Sequence, residues 1–163
     1  MLEPAKTPPL TEPSAEAMAT FVVVRVSGQA FALPAEEALA IHIVEKIEPV
    51  PQAPGDVAGL CALDGRITTV IDLRRRLGFE TGNHNLPRSA VTVEAEGMLY
   101  TLLVDEIGDV LPLPERRSLP DAGEIDAAWT AFARDFYRLG GGLLLAVLDV
   151  ESLVALEANG EDD

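Results

Sequence analysis

Leu60-Cys61-Ala62-Leu63-Asp64-Gly65-Arg66-Ile67-Thr68-Thr69-Val70-Ile71-Asp72 is the stretch that decides the fold class. Two apolar runs, residues 60–63 and 66–71, flank an Asp-Gly pair. That arrangement predicts a two-residue β-hairpin, because both central residues of the favoured turn must tolerate positive φ. Asp72 follows as the N-cap of a short helix, Leu73 to Leu77, which Gly78 terminates.

Upstream, Val22, Val24 and Val26 alternate with Phe21, Val23 and Arg25, a strand pattern. Ser27-Gly28 supplies a turn, Gln29 to Leu33 returns as a second strand, and Pro34 ends it. Ala35 to Lys46 is ambiguous: Glu36, Glu37 and Ala38 favour a helical turn, Ile41, Ile43 and Val44 an extended chain. Pro49, Pro51 and Pro54 forbid regular structure in the next connection. Residues 1 to about 20, with Pro4, Pro8, Pro9 and Pro13, read as a flexible proline-rich tail, structure starting at Phe21.

Downstream, Glu80 to Arg88 is a polar loop. A further hairpin, Ser89–Ala95 and Met98–Val104, turns at Glu96-Gly97. A short strand spans Asp109 to Leu113. Ile125, Ala128, Trp129, Phe132 and Phe136 then fall on one face at helical spacing, predicting an amphipathic helix. Gly140-Gly141-Gly142 breaks it, Leu143 to Leu148 is a strand, and Val150 to Leu156 a short closing helix before an acidic tail, 158–163. Short strands, tight hairpins and little helix predict a mainly β protein built from small barrels.

The chemistry is sparse. His42, His84 and Cys61 are far apart in sequence and lack the spacing of a metal site. Asp72, Asp105 and Asp149 each end an apolar strand and read as caps or turn formers in preference to an acid–base pair. The triple glycine has no Lys-Ser/Thr after it, as a phosphate loop would. No catalytic residue, cofactor site or metal site is assigned; the expectation is a protein without enzymatic activity.

Acids outnumber bases 27 to 12, a formal charge of −15 that disfavours nucleic acid and anionic membrane surfaces. Charge, Gly or Pro interrupts every apolar run well short of the ~18 residues of a membrane span, so no direct membrane insertion is expected. Met1 to Leu10 has no apolar core of a secretory signal, and a cytoplasmic location is the simplest expectation. Arg74, Arg75 and Arg76 cluster, as do Arg116 and Arg117. They read as solvated, partly paired surface or, more sharply, as a docking site for an acidic partner.

From Phe21 to about Leu156 the order of these pieces resembles the CheW family. Phe31-Ala32-Leu33-Pro34 is similar to its "Y/F-A-I/L-P" strand, and Ile47-Glu48-Pro49-Val50-Pro51-Gln52-Ala53-Pro54 to its "I-x-P-V-P-x-A-P" connection. Val57-Ala58-Gly59-Leu60 resembles "V-x-G-φ", with φ apolar, and Val70-Ile71-Asp72-Leu73-Arg74 resembles "V-I-D-L-R". Val104-Asp105-Glu106-Ile107-Gly108-Asp109-Val110 and Leu148-Asp149-Val150 complete the series as "V-D-x-V-x-x-V" and "L-D-φ".

The resemblance implies a CheW-like domain over 21–157 made of two intertwined five-stranded β-barrels on a shared apolar seam. The first lobe is expected at about 34–88, the second at about 89–157 plus the N-terminal strand. It implies a chemotaxis scaffold coupling the cytoplasmic tip of a chemoreceptor to the regulatory domain of a CheA-type histidine kinase, in receptor arrays at the inner face of the membrane or in soluble clusters. Carried over, the receptor groove would include Ala38, Gly59, Ala90, Ile107 and Val110, and the kinase-facing surface Ala40, Ile41, Leu60, Ala62, Asp64 and Gly65. Two departures stand out. Ala40 and Asp64 replace a Glu and an Arg that pair in typical members, and Ala62 and Thr69 replace an Asn and a Pro of the same hairpin. A diverged accessory adaptor with weakened kinase binding is therefore an alternative, and a small-molecule sensor a more distant one.

Overall fold

Ten strands account for most of the described residues. The computed structural model describes residues 18–79, 85–114, 131–140 and 143–155. The strands are β1 (Met18–Val26), β2 (Gln29–Pro34), β3 (Ala38–Val44), β4 (Val57–Leu63), β5 (Arg66–Asp72), β6 (Arg88–Ala95), β7 (Met98–Leu103), β8 (Glu106–Pro114), β9 (Ala133–Arg138) and β10 (Leu144–Leu148). A 3-10 turn, Ala35–Glu37, precedes β3, and two short helices, α1 (Leu73–Arg76) and α2 (Val150–Val154), follow β5 and β10.

The three dipeptide turns form as their chemistry requires. Ser27-Gly28, Asp64-Gly65 and Glu96-Gly97 all have positive φ, between 53° and 83°, and each joins paired strands with a two-residue loop. Asp72 caps α1 by accepting a hydrogen bond from the Arg74 amide at 3.0 Å.

The strands make two five-stranded sheets, in the orders β8-β1-β2-β10-β9 and β3-β6-β7-β5-β4. Both orders are linear. Reciprocal 2.8 Å hydrogen bonds between Glu48 and Leu60 fasten the connection that follows β3 to β4. The lobes are thus divided differently from the expected boundary at 88/89. β6 and β7 belong with β3, β4 and β5, because β7 runs parallel to β5 from Thr69↔Tyr100 to Asp72↔Leu103. β5 and β6 thus lie in one sheet, and the border between the lobes does not fall between them. The first hairpin, β1–β2, pairs with β8 and, in parallel, with β10, so the ends of the described chain embrace its middle.

The alternation in β1 explains the core. Val22, Val24 and Val26 enter a seam cluster with Phe31, Leu33, Ile71, Val91, Val93, Leu102 and Leu148, drawn from both sheets. Phe21 faces the opposite way, into a cluster with Leu113, Tyr137 and Leu145. The second sheet has its own smaller cluster, Val44, Cys61, Val70, Ala90 and Leu103.

Two sequence expectations change here. Strand β1 begins at Met18, so residues 18–20 of the expected tail are ordered by pairing with Leu113, Pro112 and Pro114, and the rest of the tail lies outside the described residues. The expected amphipathic helix ends in a strand: Phe136 lies in β9, opposite Ala146, and Phe132 in the preceding turn, while Ile125, Ala128 and Trp129 lie outside the described residues. A spacing of four puts two residues on one face under either the helical or the strand period, so Phe132 and Phe136 never distinguished the two.

Candidate protein-interaction site

The pleat of β3 separates two surfaces. Ile41 lies directly opposite Val91, a seam residue, and so shares its face of the sheet. Leu39, Ile41 and Ile43 are respectively 52%, 47% and 55% exposed, an apolar row no sheet covers. Ala38 and, from the other sheet, Ile107 both pack against the seam core, and Val110 further along β8 is exposed. Ala38, Ile107 and Val110 of the expected receptor set therefore flank the seam. Gly59 and Ala90 do not: both are buried, Ala90 in the cluster on the opposite face of the second sheet. Sequence reasoning put Ile41 with the kinase-facing residues; the pleat turns it to the seam side, beside Leu39 and Ile43, which were not singled out.

Ala40 and His42 take the other face of β3. Here a groove of about 470 Å³ is lined by His42, Val44, Leu60, Cys61, Ala62 and Ile67, with Glu45, Lys46 and Glu48. Leu60 and Ala62 of the expected kinase set meet in it. Ala62 pairs with Ile67, which is 66% exposed and was missed because a strand pattern alone does not say which face is covered. Asp64 and Gly65 form the exposed hairpin tip beyond, and Ala40 is half-buried in β3.

Beneath the groove runs a thread of polar side chains. His42 Nε2 lies 2.7 Å from Thr92 Oγ1, Thr92 2.7 Å from Thr101, Thr101 2.7 Å from Thr68, and Thr68 Oγ1 3.2 Å from Cys61 Sγ. The three threonines and Cys61 are buried, and the hydroxyls satisfy one another where water does not reach. Burial lowers the pKa of His42, opposed by its hydrogen bond with the Ile43 backbone and by the nearby Asp64 carboxylate.

The arginine cluster is mostly consumed internally. Arg76 donates to the carbonyls of Ser152, Leu153 and Ala155 at the end of α2, pairs with Asp56 at 3.2 Å, and lies 4.8 Å over the Phe132 ring. Arg74 binds Asp105 through two parallel hydrogen bonds. Of the triplet only Arg75 is exposed, while Arg74 and Arg76 fasten the lobes to each other. Burial would raise the pKa of Asp105, but its hydrogen bonds with Arg74 and the Ser27 amide, and the charges of Arg74 and Arg88, bring it below the usual value. Asp72 caps α1 and pairs with Arg88, and Asp149 accepts from Ser152 Oγ, which accounts structurally for all three strand-end aspartates.

A solved structure with this architecture is the scaffolding protein TtCheW from Thermoanaerobacter tengcongensis. It matches with a TM-score of 0.76 and 21% identity, covering 88% of this chain and 97% of that one. The fold is the CheW fold. The CheW-like domain family matches residues 20–158, and the chain belongs to the CheW family. A chemotaxis protein CheW from Rhizobium meliloti (strain 1021) is 24% identical over 126 residues, 77% of this chain and 81% of that protein. No helix among the described residues is long and apolar enough to cross a membrane.

Proposed function

We propose that this CheW-family scaffold couples the cytoplasmic tip of a chemoreceptor to the regulatory domain of a CheA-type histidine kinase, on the cytoplasmic side of the membrane and without chemistry of its own. The observation that carries the reading is that β3 separates two apolar surfaces on its opposite faces. The seam side offers Leu39, Ile41, Ile43 and Val110 to a receptor, and the hairpin side offers the groove around Leu60, Ala62 and Ile67 to a kinase domain. Exposed apolar area rimmed by polar residues is what a docking surface requires. Two such surfaces on one rigid core let a scaffold hold both partners at once.

Calorimetry with a receptor signalling fragment and a kinase regulatory domain, added singly and together, tests this. The expected result is binding of each partner and a ternary complex in which neither displaces the other. Competition between them at one surface, or binding of neither, rejects the coupling role. Binding of the receptor fragment alone supports the accessory-adaptor version, for which Asp64 at the exposed hairpin tip is the specific motive.

A further inference from the structure

Asp105 stands where the chain leaves β7 in one sheet and enters β8 in the other, and both its backbone and its side chain are held. Its N–H donates to the Arg25 carbonyl at 2.9 Å, at the end of β1. Its Oδ2 accepts from the Ser27 amide at 2.7 Å, in the β1–β2 turn. From the second sheet's side, Arg74 in α1 closes on the same carboxylate as a fork, Nε to Oδ1 at 2.9 Å and Nη2 to Oδ2 at 2.7 Å. Arg88, at the start of β6, lies 3.7 Å from Oδ1 and also pairs with Asp72. One carboxylate thus joins a turn of one sheet to two arginines of the other.

The geometry makes this fastening directional. A bidentate guanidinium–carboxylate pair fixes orientation as well as distance, and Arg74 and Asp105 are each only about a quarter exposed (26% and 25%), which limits solvent screening. Beyond Asp105, β8 pairs with β1 from Arg25↔Glu106 and Val24↔Ile107 onward, carrying Ile107 against the seam and Val110 into the open. β8 is an edge strand whose single sheet neighbour is β1, and the crossover at Asp105 is where arginines from the second sheet's side take hold of it.

We propose that Asp105 is a positioning residue: held by Arg74 and Arg88, it fixes the direction in which β8 leaves the crossover and so pre-forms the receptor-facing side of the seam. The binding part of this inference rests on the receptor-coupling reading; the positioning of β8 does not. Pre-organisation matters because a partner that must first order β8 loses that free energy from its affinity.

The test uses the full chain with Asp105→Asn, which keeps the shape and an acceptor for Ser27, and Arg74→Lys, which keeps the charge but not the fork. Glu106→Gln, at an exposed neighbour, is the control. Two quantities are read: amide hydrogen exchange in β8 against β9, the opposite edge of the same sheet, and affinity for a receptor signalling fragment. Asp105→Asn is expected to accelerate exchange in β8 while leaving β9 unchanged, and to weaken receptor binding roughly tenfold. Arg74→Lys is expected to fall between Asp105→Asn and wild type in both. Equal acceleration of β8 and β9, or wild-type exchange in β8, overturns the proposal, as does full receptor affinity with a loosened β8. A wild-type chain that binds no receptor fragment defeats the receptor reading instead, and β8 exchange then decides the positioning claim alone.

Discussion

Gly59 meets the Glu48 carbonyl so closely that no β-carbon fits between them. Its φ is 145°, and a Cβ placed there would run into Glu48 O and lie 2.7 Å from an Ile47 methyl carbon. The paired 2.8 Å hydrogen bonds between Glu48 and Leu60 prevent the strands from parting to make room. The glycine of the "V-x-G-φ" motif is therefore required by packing inside the lobe, which a receptor contact need not explain.

Gly59→Ala is accordingly expected to cost about 2–4 kcal/mol, combining overpacking against backbone with strain at positive φ. Urea unfolding gives the value. Gly55→Ala, where an added Cβ meets nothing within 4 Å, is the matched control and should lie near wild type. Equal midpoints for the two variants would show that the Glu48–Leu60 contact yields easily.

Thr101 is the node of the buried thread, within hydrogen-bonding reach of Thr92, Thr68 and Cys61. Thr101→Val keeps the volume but strands its partners, and should lower stability by about 1–3 kcal/mol. Converting Thr68, Thr92 and Thr101 to Val together removes the stranded hydroxyls at once and should cost less than the single change. Thermal melts of the single and triple variants check this; a triple variant at least as unstable as Thr101→Val alone would refute it.

His42 makes stability depend on pH in a stated direction. Its pKa in the folded protein lies below the unfolded value of 6.5, so the unfolded chain binds more protons between the two. Its contribution is fully present above the unfolded value and is lost as pH falls through the folded one. Melting temperature should decline below about pH 6.5, and His42→Gln should flatten that decline. An equally steep decline in the variant would assign the effect to other groups.

The two proposed surfaces should fail independently. Val110→Asp places a charge on an exposed residue, so the fold should survive by circular dichroism while receptor binding is lost. Ile107→Asp should also lower stability, because Ile107 packs on the seam core. On the hairpin side, Ala40→Glu with Asp64→Arg should strengthen kinase binding beyond the sum of the single changes. Calorimetry on both singles and the double decides it; a double variant matching wild type would mean the two substitutions are merely tolerated.

Local chemistry was legible in the sequence, and with it the fold class. Asp64-Gly65, Ser27-Gly28 and Glu96-Gly97 had to turn because the need for positive φ is confined to two residues, and Asp72 had to cap because its partner amide is two positions away. The ordered motifs then named the family from the residues alone. Tertiary structure decided what depends on partners distant in the chain. The parallel pairing of β5 with β7 moved the lobe boundary, since nothing in either strand records which neighbour it will meet. The pairing of β9 with β10 resolved a spacing of four that two periods share. The pleat turned Ile41 away from Leu60 and buried Ala90, and a carboxylate at Asp105 and carbonyls at the end of α2 withdrew Arg74 and Arg76 from the surface. A side chain's type is local, but its exposure is set by whichever strand lies across from it, and that is fixed only when the sheets assemble.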